Sequence, residues 1–237
     1  MTPSTCQRLL EILDTSHPSY VSGTHIGKQL QISRSAVWKH INRLREAGYE
    51  IESCRHRGHR LLARPDHPTE TESVPLLETA SFGHPFYYAP TVDSTNTWAA
   101  KLAADHVPEG TVVVADTQRR GKGRQGREWF SPPGQNLYFS LILRPALTPY
   151  RITELPIVIG TAVAKGLNHR FPETEAGVKW PNDIYCGSTK VGGILCEMNS
   201  EFDAVNHVII GVGINVNMPS STFPEELAPT CTSLSTL

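Results

Sequence analysis

The sequence predicts an α+β protein in which a winged helix-turn-helix precedes a mixed β-sheet with helices packed against it. Helical periodicity dominates residues 6–47, whereas strand-sized apolar runs alternate with helices from residue 86 onward. Charge divides the chain in the same way. Residues 1–65 carry ten Lys or Arg and five Asp or Glu, a net charge of +5, and because the whole chain carries −1 the remainder carries −6. A basic module joined to an acidic one indicates two modules with different partners.

The composition excludes several classes of protein. No apolar run approaches the roughly 20 residues that span a bilayer, and the N-terminus lacks the basic start and apolar stretch of a signal peptide. The five Cys residues form no CxxC pair and are odd in number, which favours reduced thiols over a disulfide scaffold or a zinc module. We therefore expect a cytoplasmic enzyme.

Three helices and a hairpin are predicted in the basic module. The helices are expected at residues 6–13, 24–30 and 34–47, and the strands at 49–54 and 60–62. The turn between the second and third helices is tight, as in a helix-turn-helix. The basic residues of the hairpin turn complete the pattern of a winged helix.

The third helix is the expected recognition helix. Ser33 is a favoured N-cap, and Val37, Ile41 and Leu44 form a buried stripe that leaves the polar residues on the other faces. Such a helix can enter the major groove while the wing contacts phosphates. The residues expected to contact DNA are Ser33, Arg34, Ser35, Lys39, Asn42, Arg55 and Arg57. The alternative is a protein-docking module, which winged folds also provide.

The predicted domains are a DNA-binding domain at residues 1–63, a linker at 64–80 and a second domain at 81–237. In the second domain the apolar pattern predicts two helices, at 97–104 and at 152–168, with Pro156 in the first turn of the latter. Strands are predicted at residues 86–88, 111–117, 137–143, 177–186, 191–198 and 208–216.

A glycine-rich loop at residues 121–126 matches GxGxxG, but its context excludes a dinucleotide fold because the following Glu128-Trp129-Phe130-Ser131-Pro132 cannot open a helix. A Walker A loop would need Gly-Lys-Ser/Thr, which is absent here. Five cations lie in or beside the loop, at positions 119, 120, 122, 124 and 127. Such a loop can fold over a phosphate-bearing anion. The alternative of a disordered nucleic-acid-binding segment is disfavoured by its position between a buried strand and an aromatic pair.

Four motifs in order resemble those of biotin–protein ligases, and the winged helix resembles that of the bifunctional members that also act as the biotin operon repressor. The motifs are Asp93-Ser94-Thr95-Asn96 with Gln118, Gly121-Lys122-Gly123-Arg124-Gln125-Gly126-Arg127-Glu128-Trp129, Lys179-Trp180-Pro181-Asn182-Asp183, and Gly211-Val212-Gly213-Ile214-Asn215-Val216-Asn217. The resemblance covers residues 7–237. It implies a class II synthetase-like catalytic domain with a mixed sheet.

The resemblance implies that biotin and ATP form biotinyl-5′-AMP with the help of Mg²⁺, and that a lysine of a biotin carboxyl carrier protein then takes the biotin. It also implies that biotinyl-AMP strengthens a homodimer on a palindromic operator. Catalytic roles fall to Lys179, Arg124 and Arg127. Biotin-binding roles fall to Ser94, Thr95, Asn96, Gln118, Lys122, Gly123, Arg124, Lys179 and Gly193. Adenylate-binding roles fall to Gly121, Trp129, Asn182, Asn215 and Asn217. No protein metal ligand is assigned, although Asp183 is a candidate.

Two features depart from the family pattern. Lys122 stands where the family loop commonly has Arg, and Lys lacks the bidentate geometry of a guanidinium. The sequence ends at Leu237, whereas family members usually continue into a small SH3-like barrel, so the chain is either a fragment or a shortened form. Two alternative functions stay open: a repressor that senses the ligand without full ligase turnover, and a lipoate–protein ligase.

Overall fold

The computed structural model describes residues 4–201 and 204–237. Residues 1–3 and 202–203, which belong to the domains predicted at 1–63 and 81–237, lie outside the described part. The chain divides into two compact units, one extending to residue 67 and the other beginning at residue 68. No helix within the described residues is both long enough and apolar enough to cross a lipid bilayer.

The first unit is a winged helix-turn-helix, as predicted. Its elements are α1 (Thr5–Thr15), α2 (Gly23–Leu30), α3 (Arg34–Glu46), β1 (Glu50–Cys54) and β2 (Gly58–Ala63), and the two strands pair antiparallel. Each helix starts at a serine N-cap, whose hydroxyl accepts a hydrogen bond from a backbone N–H of the first turn. The predicted stripe on α3 is buried among apolar residues of α1 and α2.

The second unit contains a seven-stranded sheet with helices on both faces. Its helices are α4 (Glu70–Ser73), α5 (Thr95–Ala104), α6 (Pro149–Ile152) and α7 (Leu155–Arg170). Its strands are β3 (Phe86–Val92), β4 (Val112–Gln118), β5 (Asn136–Leu143), β6 (Ala176–Lys179), β7 (Asp183–Cys186), β8 (Thr189–Glu201) and β9 (Ala204–Asn215). Helix α4 lies within the range predicted as linker.

The sheet is mixed, as predicted. Its strand order is β3-β4-β5-β9-β8-β7-β6, in which β3 and β4 run parallel and every other pair is antiparallel. Helix α5 packs with Ile142 and Ile209, whereas α7 packs in the cluster that holds Ile210 and Leu141. Because successive strand residues point to opposite faces, the two helices cover opposite sides of the sheet.

Two predicted elements differ from the structure. The range 177–186, predicted as one strand, is the hairpin β6–β7, because Pro181 lacks the N–H that a continuous strand would need for pairing. The helix predicted at 152–168 begins later, at Leu155, and a separate short helix α6 precedes it. Pro156 lies in the first turn of α7, as expected. The backbone N–H groups of a first turn have no partner within the helix, so the N–H that proline lacks is not needed there.

Candidate functional site

A cavity of about 350 Å³ opens in the second unit where the N-terminus of α5, the glycine-rich loop and strands β7 to β9 meet. The segment from Met218 to Cys231 supplies the remaining wall through Met218, Phe223, Leu227 and Cys231. The cavity is lined by polar groups at the α5 end. At the other end it is lined by glycines of the strands and by Trp129, which lies over them. It therefore combines a polar pocket with a flat platform, which suits a ligand with a hydrogen-bonding head and an aromatic base.

The polar end of the cavity is a hydrogen-bonded cluster at the start of α5. Ser94, Thr95 and Asn96 are buried there. The Gln118 side-chain oxygen accepts hydrogen bonds from the Thr95 backbone N–H at 2.9 Å and from its hydroxyl at 3.1 Å, and the Gln118 amide donates to the Ser131 hydroxyl at 3.0 Å. These contacts fix the orientation of the side chains that face the cavity, so the pocket is largely formed before a ligand enters.

Asn96 occupies space that only a glycine on β9 leaves free. A Cβ atom at Gly211 would lie 2.1 Å from Asn96 Oδ1. The Asn96 oxygen accepts a hydrogen bond from the Ser140 hydroxyl at 2.6 Å, and its amide nitrogen donates to Glu197 Oε2 at 2.7 Å. Gly211, the first residue of the fourth sequence motif, thus makes room for a side chain of the polar cluster.

The glycines of β8 and β9 also form the surface on which Trp129 lies. A Cβ atom at Gly213 would lie 2.5 Å from Trp129 Cε2, and one at Gly193 would lie 3.1 Å from Trp129 Cζ3. The buried Nε1 of Trp129 has no hydrogen-bond partner among the described residues. A buried donor without a partner is costly, so the close contact with the glycine strands must compensate for it.

The glycine-rich loop doubles back on itself above the cavity. Lys122 and Glu128 form an isolated antiparallel bridge, and the Trp129 N–H donates to the Gly121 carbonyl at 2.8 Å. The short 3₁₀ turn at Arg124–Gly126 opens no helix, which agrees with the exclusion of a dinucleotide fingerprint. Gly121 lines an adjoining cavity beneath the loop rather than the main one.

The loop cations have different surroundings. Arg124 donates to the Asn182 side-chain oxygen at 2.8 Å, and Lys122 Nζ lies 3.0 Å from Glu197 Oε1. Arg127 also lines the cavity and is exposed. The structure brings the predicted residues Lys122, Gly123, Arg124 and Arg127 together at one mouth of the cavity.

A lysine that the sequence analysis did not select lies inside the cavity. Lys190 Nζ is 2.7 Å from Asp183 Oδ1 and 5.3 Å from the centre of the Trp129 ring. Its backbone is held on both sides, because its N–H donates to the Thr230 carbonyl and its carbonyl accepts from the Thr232 N–H, each at 2.9 Å. The signal that could have identified Lys190 is its position just before Gly192-Gly193 on the strand that forms the platform.

Lys179, which the sequence analysis assigned to catalysis and to biotin, does not belong to the described residues that line the cavity. Its Nζ lies 4.4 Å from the ring centre of Tyr185 and donates to the Tyr185 hydroxyl at 3.2 Å. Lys179 stands on the edge strand β6, whereas Lys190 stands on the interior strand β8. Lys179 is exposed.

The predicted adenylate-binding residues are divided between the cavity and the surface. Trp129, Asn182 and Asn215 line the cavity, and Asn215 is buried with its amide donating to the Thr232 carbonyl at 3.0 Å. Asn217 is exposed and lies outside the lining that the described residues form, with its N–H bonded to the Gln135 carbonyl. Strand β9 ends at Asn215, so Asn217 lies beyond the sheet.

The acidic groups near the cavity are few. Across residues 4–201 and 204–237, no three His, Cys, Asp or Glu side chains cluster so that they could hold a metal ion. Asp183, the candidate metal ligand, lines the cavity but is paired with Lys190.

Most of the predicted DNA-contacting residues of the first unit are exposed. Ser33, Arg34, Ser35 and Lys39 are exposed at or near the start of α3, Asn42 is half-buried, and Arg55 and Arg57 are exposed on the wing. Trp38, which the sequence analysis did not select, is 59% exposed on the same helix. Its spacing of four residues from Arg34 places it on the same face and could have identified it.

The wing arginines are organised by an aromatic ring. The guanidinium carbons of Arg57 and Arg60 lie 4.2 and 4.8 Å from the ring centre of Tyr20, and Arg60 also pairs with Glu52 at 2.6 Å. Nearby, His59 Nδ1 lies 2.8 Å from the Ser53 hydroxyl. Burial, and then the charges of Arg45 and Arg34, lower the pKa of His59.

Comparison with known proteins gives two family matches. Residues 88–215 match the biotin/lipoate A/B protein ligase family, and residues 6–60 match a helix-turn-helix domain. The chain is 42% identical over 231 residues to the bifunctional ligase/repressor BirA of Bacillus spizizenii, covering 96% of this chain and 70% of that protein. It is 33% identical over 202 residues to BirA of Escherichia coli, covering 83% of this chain and 60% of that protein.

Solved structures agree with these matches. The biotin protein ligase of Aquifex aeolicus in complex with biotin and ATP is 36% identical with a TM-score of 0.52, over 64% of this chain and 60% of that one. The biotin protein ligase of Leishmania major in complex with biotinyl-5-AMP is 28% identical with a TM-score of 0.52, over 64% of this chain and 62% of that one. The chain thus spans about three fifths of the length of these solved relatives.

Proposed function

The chain belongs to the biotin/lipoate A/B protein ligase family, and we propose that it activates biotin with ATP and transfers the biotin to a lysine of a biotin carboxyl carrier protein. The observation that carries the proposal is the cavity itself. It places a buried polar cluster, a half-buried lysine and an aromatic platform side by side, beneath a loop rich in cations. Activation of a carboxylic acid by ATP needs these parts together.

In the first step a biotin carboxylate oxygen attacks the α-phosphorus of ATP, the bond to the β-phosphate oxygen breaks, and pyrophosphate leaves. The polar cluster of Thr95, Asn96 and Gln118 would hold the ring system of biotin by hydrogen bonds, with Ser94, Lys122 and Gly123 at its borders. Gly193, which lies against Trp129, would contact biotin from the platform side. Biotin held in this way would direct its carboxylate along the cavity. Orienting the carboxylate toward the α-phosphate would accelerate the reaction.

Lys190 is the residue that we propose stabilises the developing negative charge. Its ammonium group lies inside the cavity next to the platform, so it can bridge the biotin carboxylate and the α-phosphate. Asp183, 2.7 Å away, would hold the ammonium group in place until the substrates arrive. We thereby propose Lys190 for the role that sequence reasoning gave to Lys179.

The adenosine would lie at the platform end of the cavity. Trp129 offers an aromatic face for the base, while Asn182 and Asn215 also line the cavity. Arg124 and Arg127 of the loop would face the phosphates, where charge-assisted hydrogen bonds are strong. The loop would then exclude water that could hydrolyse the mixed anhydride.

We propose that Mg²⁺ enters with ATP. Asp183 is held by Lys190, so the donor set fits an ion bound mainly by phosphate oxygens and water, as is usual for Mg²⁺. Bound there, the ion would neutralise charge on the leaving pyrophosphate.

In the second step the amine of the carrier lysine attacks the acyl carbon of biotinyl-AMP. The bond between that carbon and the phosphate oxygen breaks, AMP leaves, and the amine gives up one proton. The cavity mouth at Pro181 and Asn182 stands next to Trp180, whose side chain is 78% exposed. We propose that the amine approaches the acyl carbon from this side.

The first unit would provide repression in response to biotin. The exposed face of α3 and the wing can contact DNA as a winged helix does, and we propose that biotinyl-AMP favours a homodimer on a palindromic operator. A gel shift that shows no dependence on biotin and ATP would contradict this part of the proposal.

The test of the enzyme is ATP–pyrophosphate exchange with biotin or lipoate as the only acid. We expect exchange with biotin, followed by mass spectrometric detection of a +biotin adduct on one lysine of an added carrier domain. Exchange with lipoate but not with biotin would identify a lipoate–protein ligase instead. Exchange with biotin but no transfer to any carrier would indicate a repressor that senses the adenylate without full ligase turnover.

A further inference from the structure

Glu197 on β8 connects the polar cluster to the glycine-rich loop through a single carboxylate. Its Oε2 accepts a hydrogen bond from the Asn96 amide at 2.7 Å, and its Oε1 lies 3.0 Å from Lys122 Nζ. Asn96 lies 101 positions before Glu197 in the chain, and Lys122 lies 75 positions before it. Three distant parts of the sequence therefore meet at this side chain.

At the Asn96 end, Glu197 determines the orientation of the amide. The carboxylate accepts only, so it requires the nitrogen of Asn96 on its side, and the Asn96 oxygen then accepts from the Ser140 hydroxyl at 2.6 Å. Asn96 and Ser140 are both buried. Loss of the carboxylate would leave this amide free to turn, which would change the donors that the pocket offers.

At the Lys122 end, Glu197 holds the loop by an ion pair. The two side chains are 44% and 41% exposed, so the pair is open to solvent and individually weak. A weak tie suits a loop that must admit substrates and later release products. Lys122 is followed by Gly123 and Arg124, so the pair anchors the loop at the start of the part that lines the cavity.

We propose that Glu197 is a positioning residue that ties the glycine-rich loop to the biotin end of the cavity, so that a correctly oriented pocket and a closed loop occur together. The expected effect on the adenylate rests on the proposed ligase function. The contacts of Glu197 with Asn96 and Lys122 do not depend on enzymatic activity. Glu197 acts through Asn96 and Lys122.

The first test measures the tie without substrates, by limited trypsin digestion at the basic residues of the loop. Glu197→Gln keeps the size of the side chain and an oxygen for Asn96 but removes the charge that attracts Lys122, and Glu197→Ala removes both contacts. We expect both variants to be cut in the loop three- to tenfold faster than the parent chain. Glu154→Gln, which removes the exposed Arg151–Glu154 pair, is the matched control and should be cut at the parent rate.

The second test separates the contact of Glu197 with Asn96 from its contact with Lys122. Glu197→Ala should raise both the KM for biotin and the rate at which biotinyl-AMP leaves the protein, each three- to tenfold. Glu197→Gln should raise the rate of release while leaving the KM for biotin within about twofold. A residue that served only stability would change both quantities alike and would lower the melting temperature.

The outcomes are distinguishable. Loop cleavage and adenylate release at parent rates in both variants would overturn the proposal for Glu197. A parent chain that forms no biotinyl-AMP would overturn the proposed function, and the trypsin comparison would still support or overturn the tie.

Discussion

The ammonium group of Lys190 lies 2.7 Å from the carboxylate of Asp183 across the β7–β8 pair, and 5.3 Å from the centre of the Trp129 ring. The two side chains are only 24% and 27% exposed. A cation held this way is oriented before the substrate arrives, so little reorganisation is needed when negative charge develops beside it.

Replacement of Lys190 by Met should abolish most adenylate formation. Removal of one preorganised donor at a developing charge costs about 10²- to 10³-fold in rate, and we expect a loss of that size in biotin-dependent ATP–pyrophosphate exchange. Lys179→Met is the matched comparison, since that lysine pairs with Tyr185 on the edge strand. Its loss of exchange should be at least tenfold smaller, and the reverse order would return the catalytic role to Lys179.

Replacement of Gly213 by Ala should weaken ATP binding. The added Cβ would lie 2.5 Å from Trp129 Cε2, so the indole ring must leave the platform. We expect the KM for ATP to rise about tenfold while the KM for biotin changes less, because the polar cluster lies at the other end of the cavity. The control is Gly177→Ala on β6, where a Cβ would meet nothing within 4 Å. Equal effects of the two variants on the KM for ATP would contradict the proposal that Trp129, lying on Gly213, supports the adenine base.

The comparison of sequence and structure shows which information is local. The winged helix was predictable because the Ser33 cap and the Val37, Ile41 and Leu44 stripe are patterns of neighbouring residues. The position of Lys190 inside the cavity was not, because it depends on the pairing of strands that are distant in the sequence. The catalytic role assigned to Lys179 stays a prediction. The prediction of a single strand at 177–186 was wrong because it gave more weight to the apolar content of the range than to the break that Pro181 introduces.

Replacement of Tyr20 by Ala should weaken operator binding through the wing. The Tyr20 ring lies against the guanidinium groups of Arg57 and Arg60, and a cation–π contact at an exposed site is worth about 0.5–1 kcal/mol. We expect about a two- to fivefold loss of affinity by fluorescence anisotropy. Tyr20→Phe keeps the aromatic face and should retain most of the affinity. The Tyr20 hydroxyl also makes a side-chain hydrogen bond with Glu52. Equal losses of affinity in the Phe and Ala variants would show that this hydroxyl, rather than the ring, orders the wing.

His59 should make the first unit less stable as the pH falls. Burial, followed by the nearby charges of Arg45 and Arg34, lowers the pKa of His59 from its ordinary value of 6.5. The unfolded chain therefore binds the proton more readily than the folded one, and the free energy of unfolding declines as the pH is lowered from about 7.5 through 6.5 and on to the folded pKa. His207 in the second unit has its pKa lowered as well, by burial and by Arg144, so the effect must be isolated by substitution. In His59→Gln the unfolding transition of the first unit, followed by denaturant titration at several pH values, should depend less on pH than in the parent chain. A ring that titrates at or above 6.5 by NMR in the folded protein, or an unchanged pH dependence in the Gln variant, would show that protonation of His59 does not oppose folding.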